Sequence, residues 1–180
     1  LLWLGALTSS IGTWMQRVAQ DWLIVTLTDS RSAFFLGLDS FIGEVPILLL
    51  ILIGGVVADR RDRRHLMIMS QVVQMTAAFT LATLVFLDRV QIWHILTLSG
   101  LTGCAQAFGG PAYQSLVPTL VGKEDLPNAV ALNSIQFNLA RIIGPVVAGA
   151  ALASFGMVMC FGINGISFLF VIAAILALRN

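Results

Sequence analysis

Charge is scarce in this 180-residue sequence: 11% of residues are Asp, Glu, Lys or Arg, against 58% hydrophobic. With a mean hydropathy of +0.92, an ordinary soluble domain is excluded, because a water-exposed surface demands more polar residues. Lysine occurs once, at Lys123, and the net charge of +1 offers no basic face to nucleic acid. Cys104 and Cys160 lie inside apolar runs, there is no Cys-x-x-Cys, and His65 and His94 stand alone. Neither a disulfide framework nor a metal cluster is therefore expected. A Gly-Lys-Ser/Thr phosphate loop is missing, which leaves ATP hydrolysis within this chain unsupported. The Ser, His and acidic residues are scattered without nucleophile–base spacing, so neither an enzyme nor a bound cofactor is expected.

What the chain has is long apolar runs. Six are long enough to cross about 30 Å of hydrocarbon as helices, near 2–27, 33–58, 66–87, 92–114, 128–153 and 157–178. They break at Thr28-Asp29-Ser30-Arg31, at an arginine knot, at Leu87-Asp88-Arg89, from Pro118 to Pro127, and at Ser154-Phe155-Gly156. The runs show no period-2 alternation, and a helix satisfies its own backbone hydrogen bonds in lipid. The expected class is an all-α membrane protein with six transmembrane helices in a lipid bilayer. Beginning at Leu1 rather than Met, already apolar, and ending at Arg179-Asn180 after an apolar run, the chain reads as a fragment.

The knot, Asp59-Arg60-Arg61-Asp62-Arg63-Arg64, cannot enter hydrocarbon and reads as a short aqueous loop. Connections on its side carry Arg60, Arg61, Arg63, Arg64, Lys123 and Arg179; those on the other carry only Arg31 and Arg89. Short Arg/Lys-rich loops stay cytoplasmic, which puts the knot and both chain ends inside the cell.

Five charged residues fall within the runs: Arg17, Asp21, Asp39, Glu44 and Arg141. Each would cost several kcal/mol in hydrocarbon unless it faces water or a partner, so each is a functional candidate. Ser10, Thr13, Trp14, Arg17 and Asp21 share one helical stripe. In an antiparallel pair, residues of the first two helices whose numbers add to about 60 share a level. That matches Arg17 with Glu44 near the midplane and Asp21 with Asp39 nearer the outer end. Arg141 also reaches mid-membrane. Arg17, Glu44 and Arg141 are expected to form a polar site that tolerates an anionic or zwitterionic ligand, with Trp14 and Asn133 as further lining. Asp21 and Asp39, if close, would make a proton carrier. The plainer alternatives are an Arg17–Asp21 pair within one helix and an Asp39 that reaches headgroup water. Gln71, Gln74, Asn164 and Ser167 are expected to bond between helices, and Trp3, Trp22 and Trp93 to sit in interfacial belts.

Gly55-x-x-x-Asp59-Arg60-x-x-Arg63-Arg64 resembles the signature loop of the major facilitator superfamily, although that pattern has glycine where Asp62 stands. The resemblance implies that Asp59 and the last arginines latch two halves together at their cytoplasmic ends. Ala140, Gly144-Pro145 and Gly149 are similar in spacing to the family's antiporter motif, which is associated with exporters. Gly12-Thr13-Trp14-Met15-Gln16, Pro111-Ala112-Tyr113-Gln114-Ser115 and Ala129 to Ser134 resemble the enterobactin-exporter-like branch. The arginine that many drug–proton antiporters carry in helix 4 has no counterpart; His94, close to the outer edge, is the nearest polar residue.

The resemblance implies one half of a twelve-helix fold, built of two inverted three-helix repeats at about 1–88 and 92–180. It further implies a carboxy-terminal six-helix half as partner, an inner-membrane location, a small-molecule substrate of the drug or siderophore class, and alternating-access efflux driven by a proton gradient. Two rival readings are a facilitator or importer such as a lysophospholipid flippase, and a non-transporting membrane scaffold or sensor.

Overall fold

The computed structural model describes residues 2–122 and 124–177. Every regular element among them is helical: α1 (Leu2–Thr28), α2 (Ser32–Arg60), α3 (Arg63–Phe86), α4 (Ile92–Leu120) and α5 (Leu126–Ala177), with a 3-10 turn at Asp29–Arg31. α5 is not one rod. Gly156 has φ 77° and ψ −179°, which breaks the run into a first arm, 126–155, and a second arm, 157–177. That backbone conformation is open to glycine and strained for residues with a Cβ. The loop expected around residues 154–156 thus contracts to a single residue. Lys123 and Arg179, two of the basic residues used to orient the chain, lie outside the described residues.

By length and composition, three helical stretches are long and apolar enough to cross a membrane: Trp3–Arg60, Arg63–Phe86 and Leu126–Ala177. A straight helix as long as the first, 58 residues, would measure about 87 Å at about 1.5 Å per residue. It turns back at Asp29–Arg31 instead. Contacts of Arg17 with Glu44 and of Gln20 with Asp39 set α1 and α2 antiparallel. α4 is outside the set of three.

α4 also runs past its expected end. Pro111 and Pro118 both lie inside the helix, which stops at Leu120 rather than near 114. Proline removes one backbone donor and kinks a helix without necessarily ending it. Leu116, buried against Ala58, Met67, Val171 and Ile175, holds the last turns in place.

The loops have local causes. Asp62 caps α3: its carboxylate accepts from the backbone N–H of Arg64 (2.9 Å) and of His65 (3.4 Å). Its φ of −63° needs no glycine, so the departure from the family pattern is filled by a standard N-cap. Between α3 and α4, Asp88 takes φ 51°. There the Asp88 N–H donates to the Val85 carbonyl and the Arg89 N–H to Leu84, the paired bonds of a Schellman cap. At the start of α4, Gln91 and His94 cap each other reciprocally, which gives His94 a structural task.

α1 packs chiefly on α5, α2 on α4, and α3 between α4 and α5. Lipid is as apolar as these side chains, so close packing and interhelical hydrogen bonds hold the bundle. One buried cluster, Ala58, Met67, Ala112, Leu116, Val171 and Ile175, lies at the arginine-loop end. Another surrounds Met15, Ile24, Leu81, Ile95, Cys160 and Phe161 toward the opposite end.

Candidate functional site

Three charged side chains project from the middle of long apolar helices. Arg17 lies about 16 Å along α1 from Thr28, Glu44 about 18 Å along α2 from Ser32, and Arg141 about 22 Å before the Gly156 break. An Nη2–Oε1 distance of 3.4 Å joins Arg17 to Glu44, and the two side chains are 48% and 60% exposed. Arg141 is exposed as well. The residues expected at one level do meet, and they lie on a face that this chain leaves open.

Trp14 is the centre of that face. The Arg17 guanidinium carbon lies over its ring at 5.8 Å from the centroid, and that of Arg141 at 5.9 Å. Phe137 meets the indole edge-on, with centroids 6.1 Å apart. Distances of this size allow cation–π attraction. Trp14 reaches Arg141 because α1 lies directly on α5 at Gly144. A Cβ on Gly144 would overlap the Trp14 Cβ and stand 3.2 Å from the Ile11 carbonyl oxygen and 3.3 Å from the Met15 nitrogen.

The antiporter-like motif divides between two faces. Ala140, Gly144 and Ala148 are buried at four-residue spacing, whereas Pro145 and Gly149 are exposed and nothing lies within 4 Å of a Cβ built at Gly149. Half of the motif therefore seats α1, and the other half faces away from it.

Asp39 differs from its expected setting. It is 8% exposed and meets Gln20, one residue before Asp21. The Gln20 amide donates to Asp39 Oδ2 (2.8 Å) and to Ser99 Oγ (2.9 Å), and the Ser99 hydroxyl donates to Asp39 Oδ1 at 2.5 Å. This triad ties α1, α2 and α4 together. Asp39 is thus buried rather than in headgroup water, and it makes no hydrogen bond to Asp21, although the two carboxylates stay within electrostatic reach of each other. Asp21 is exposed, and among the described residues no hydrogen bond or ion pair holds it, so the intrahelical pair with Arg17 does not form. One residue is about 100° of helix, which turns Gln20 inward and Asp21 outward. Gln20 and Ser99 were missed as site residues because neutral polar side chains carry no burial alarm in a sequence.

Other polar residues join helices. Gln136 donates to Ser10 Oγ (2.9 Å) and accepts from the Tyr113 hydroxyl (3.4 Å), while Asn164 donates to Gln16 (2.7 Å). Ser167 bonds within its own turn, to the Asn164 carbonyl, instead of across helices. Gln74 reaches Gln106 on α4 (3.4 Å). Gln71 shows a buried Oε1 without a partner. Trp3 is more than a belt residue, since its indole N–H donates to the Leu132 carbonyl of α5 (3.0 Å). Asn133 is half-buried beside that contact.

At the arginine loop, Gly55 is half-buried and Asp59 and Arg60 are exposed. Arg63 Nη1 donates to the Ser115 carbonyl (3.2 Å), fastening the start of α3 to α4. Among the described residues no group of three or more His, Cys, Asp or Glu could hold a metal ion.

The family described as transmembrane secretion effector, of the major facilitator type, matches residues 1–180. The chain belongs to that family. Its members are membrane transporters and not enzymes, and the chain is accordingly a multi-pass membrane protein. It is 32% identical over 145 residues to the staphyloferrin A transporter of Staphylococcus aureus, covering 79% of this chain and 36% of that protein. It is 28% identical over 184 residues to the multidrug efflux pump Tap of Mycolicibacterium fortuitum, covering 99% of this chain and 44% of the pump. With the enterobactin exporter EntS of Shigella boydii it shares 25% identity over 162 residues, 89% of this chain and 36% of the exporter. The chain thus spans less than half the length of these relatives.

Proposed function

We propose that this chain is the amino-terminal half of a secondary exporter in the cell membrane. It would cross the bilayer six times, as two inverted three-helix repeats at about 1–88 and 92–180, with the arginine loop and both ends in the cytoplasm. A second six-helix half completes the cavity, and a small organic solute passes between the halves by alternating access under a proton gradient. Similarity to an enterobactin exporter and a multidrug efflux pump supports outward movement of such solutes. Asp59 and Arg63 serve as the latch between halves when the cytoplasmic side is closed.

One observation carries this reading: Arg17, Glu44 and Arg141 stand exposed at mid-height of apolar helices. Hydrocarbon cannot accept them at modest cost, so the open face borders water and a second body. The test is accumulation of drugs and siderophores in an efflux-deficient host expressing the full-length gene, with and without an uncoupler. Lower accumulation that the uncoupler reverses, and that Arg17→Gln or Glu44→Gln abolishes, is expected. Equal accumulation with and without the gene across the panel would end the proposal. Cysteine labelling from outside intact cells that tags the loop between α2 and α3 would end the orientation.

A further inference from the structure

We propose that Arg141, steadied by Trp14, is the docking point for an anionic group of the substrate, so that the transported class is organic anions. The inference rests on the exporter reading only in that a solute must reach the open face.

The two guanidinium groups at the indole are not equivalent. Arg17 is paired with Glu44 at 3.4 Å, while Asp21, one turn along α1, lies within electrostatic reach of it without a hydrogen bond or ion pair among the described residues. Arg141 stands on the other helix, and among the described residues no carboxylate pairs with it. Its guanidinium lies 5.9 Å from the Trp14 centroid, a contact that orients a cation without neutralising it. A lone guanidinium at mid-membrane is unfavourable by several kcal/mol, and a carboxylate arriving with the substrate removes that cost through a bidentate pair. An arriving cation would meet the same charge as repulsion.

Trp14 is the positioning residue. It is fixed from behind by the close approach at Gly144, three residues beyond Arg141 on the same helix, and at its edge by Phe137. The shape of the α1–α5 contact therefore sets where the guanidinium points.

Three probes with one ring system separate charge from shape: 1-naphthoate, 1-naphthamide and 1-naphthylmethylammonium, titrated against the purified full-length protein. Naphthoate is expected to bind at least about tenfold more tightly than the amide, as one charge-assisted pair implies, and the ammonium most weakly. Arg141→Gln should erase the anion preference and Arg141→Lys retain part of it. Trp14→Leu should narrow the naphthoate-to-amide ratio, and Trp14→Phe restore it.

Equal binding of naphthoate and amide by the unaltered protein overturns the proposal without any variant. So does tighter binding of the ammonium, or an Arg141→Gln protein that keeps the preference. An acid of the carboxy-terminal half already paired with Arg141 would show as the first of these results. Because binding is read without transport, a protein that prefers naphthoate but exports nothing sinks only the exporter reading. One that exports but ignores the probe's charge sinks only the anion site.

Discussion

Gln20 donates to Asp39 across 2.8 Å, and with its other amide hydrogen reaches Ser99 on a third helix. The Ser99 hydroxyl in turn donates to the other carboxylate oxygen, so both oxygens of a buried acid are supplied from neutral donors. Removing either donor strands part of a buried carboxylate, which costs about 1–3 kcal/mol and more when the group is charged. Ser99→Ala and Gln20→Leu are each expected to lower the thermal midpoint of the detergent-solubilised protein. Combining Ser99→Ala with Asp39→Leu should cost less than the sum, since a double-mutant cycle removes both ends of one contact. Strict additivity would show that the triad is not energetically coupled.

Gly144→Val places side-chain atoms where the Trp14 Cβ and the α1 backbone stand. Backbone cannot swing aside as a side chain can, so overpacking of about 1–3 kcal/mol or more is expected. A Cβ at Gly149 meets nothing within 4 Å, so Gly149→Val should leave stability within experimental error of the parent. Parallel unfolding of the two variants checks the division of the motif between faces.

Asp88 holds the left-handed position of the cap that ends α3, with φ 51°. Glycine adopts that conformation without the Cβ penalty, worth about 1 kcal/mol. Asp88→Gly is expected to raise the thermal midpoint. Asp62→Ala removes the acceptor for two N–H groups at the start of α3 and should lower stability by about 1 kcal/mol. Reversal of either sign would contradict the loop geometry.

Cys160 is fully buried against the core that includes Phe161, and Cys104 is half-buried. A membrane-permeant maleimide should modify Cys104 first, and Cys160 only on unfolding. Mass spectrometry of the partly labelled protein distinguishes the order. Early labelling of Cys160 would place the second arm of α5 differently.

Much of this arrangement was legible in the residues. Breaks at Asp29, Asp62, Asp88 and Gly156 fell where charge or glycine interrupts an apolar run, and the level rule placed Arg17 beside Glu44. The failures have a common cause. Depth can be counted along a helix, but azimuth drifts by about 100° per residue, so the level rule put Asp21 near Asp39 without showing that Gln20 is the residue that bonds it. Ser99 lies 60 residues from Asp39, and only the packing of α4 on α2 reveals it. Pro118 signalled an end that the burial of Leu116 overrides. At Asp62, where the family pattern has glycine, an N-cap stands.

Gly156 joins two long arms with no slack. The second arm grips α1 through Asn164 and Gln16, and the first grips it through Gly144. A tilt imposed on either arm is therefore handed to α1 from both sides. Held at both arms in this way, α1 and the hairpin would move as one body, carrying Trp14 and Arg141 together with their spacing unchanged.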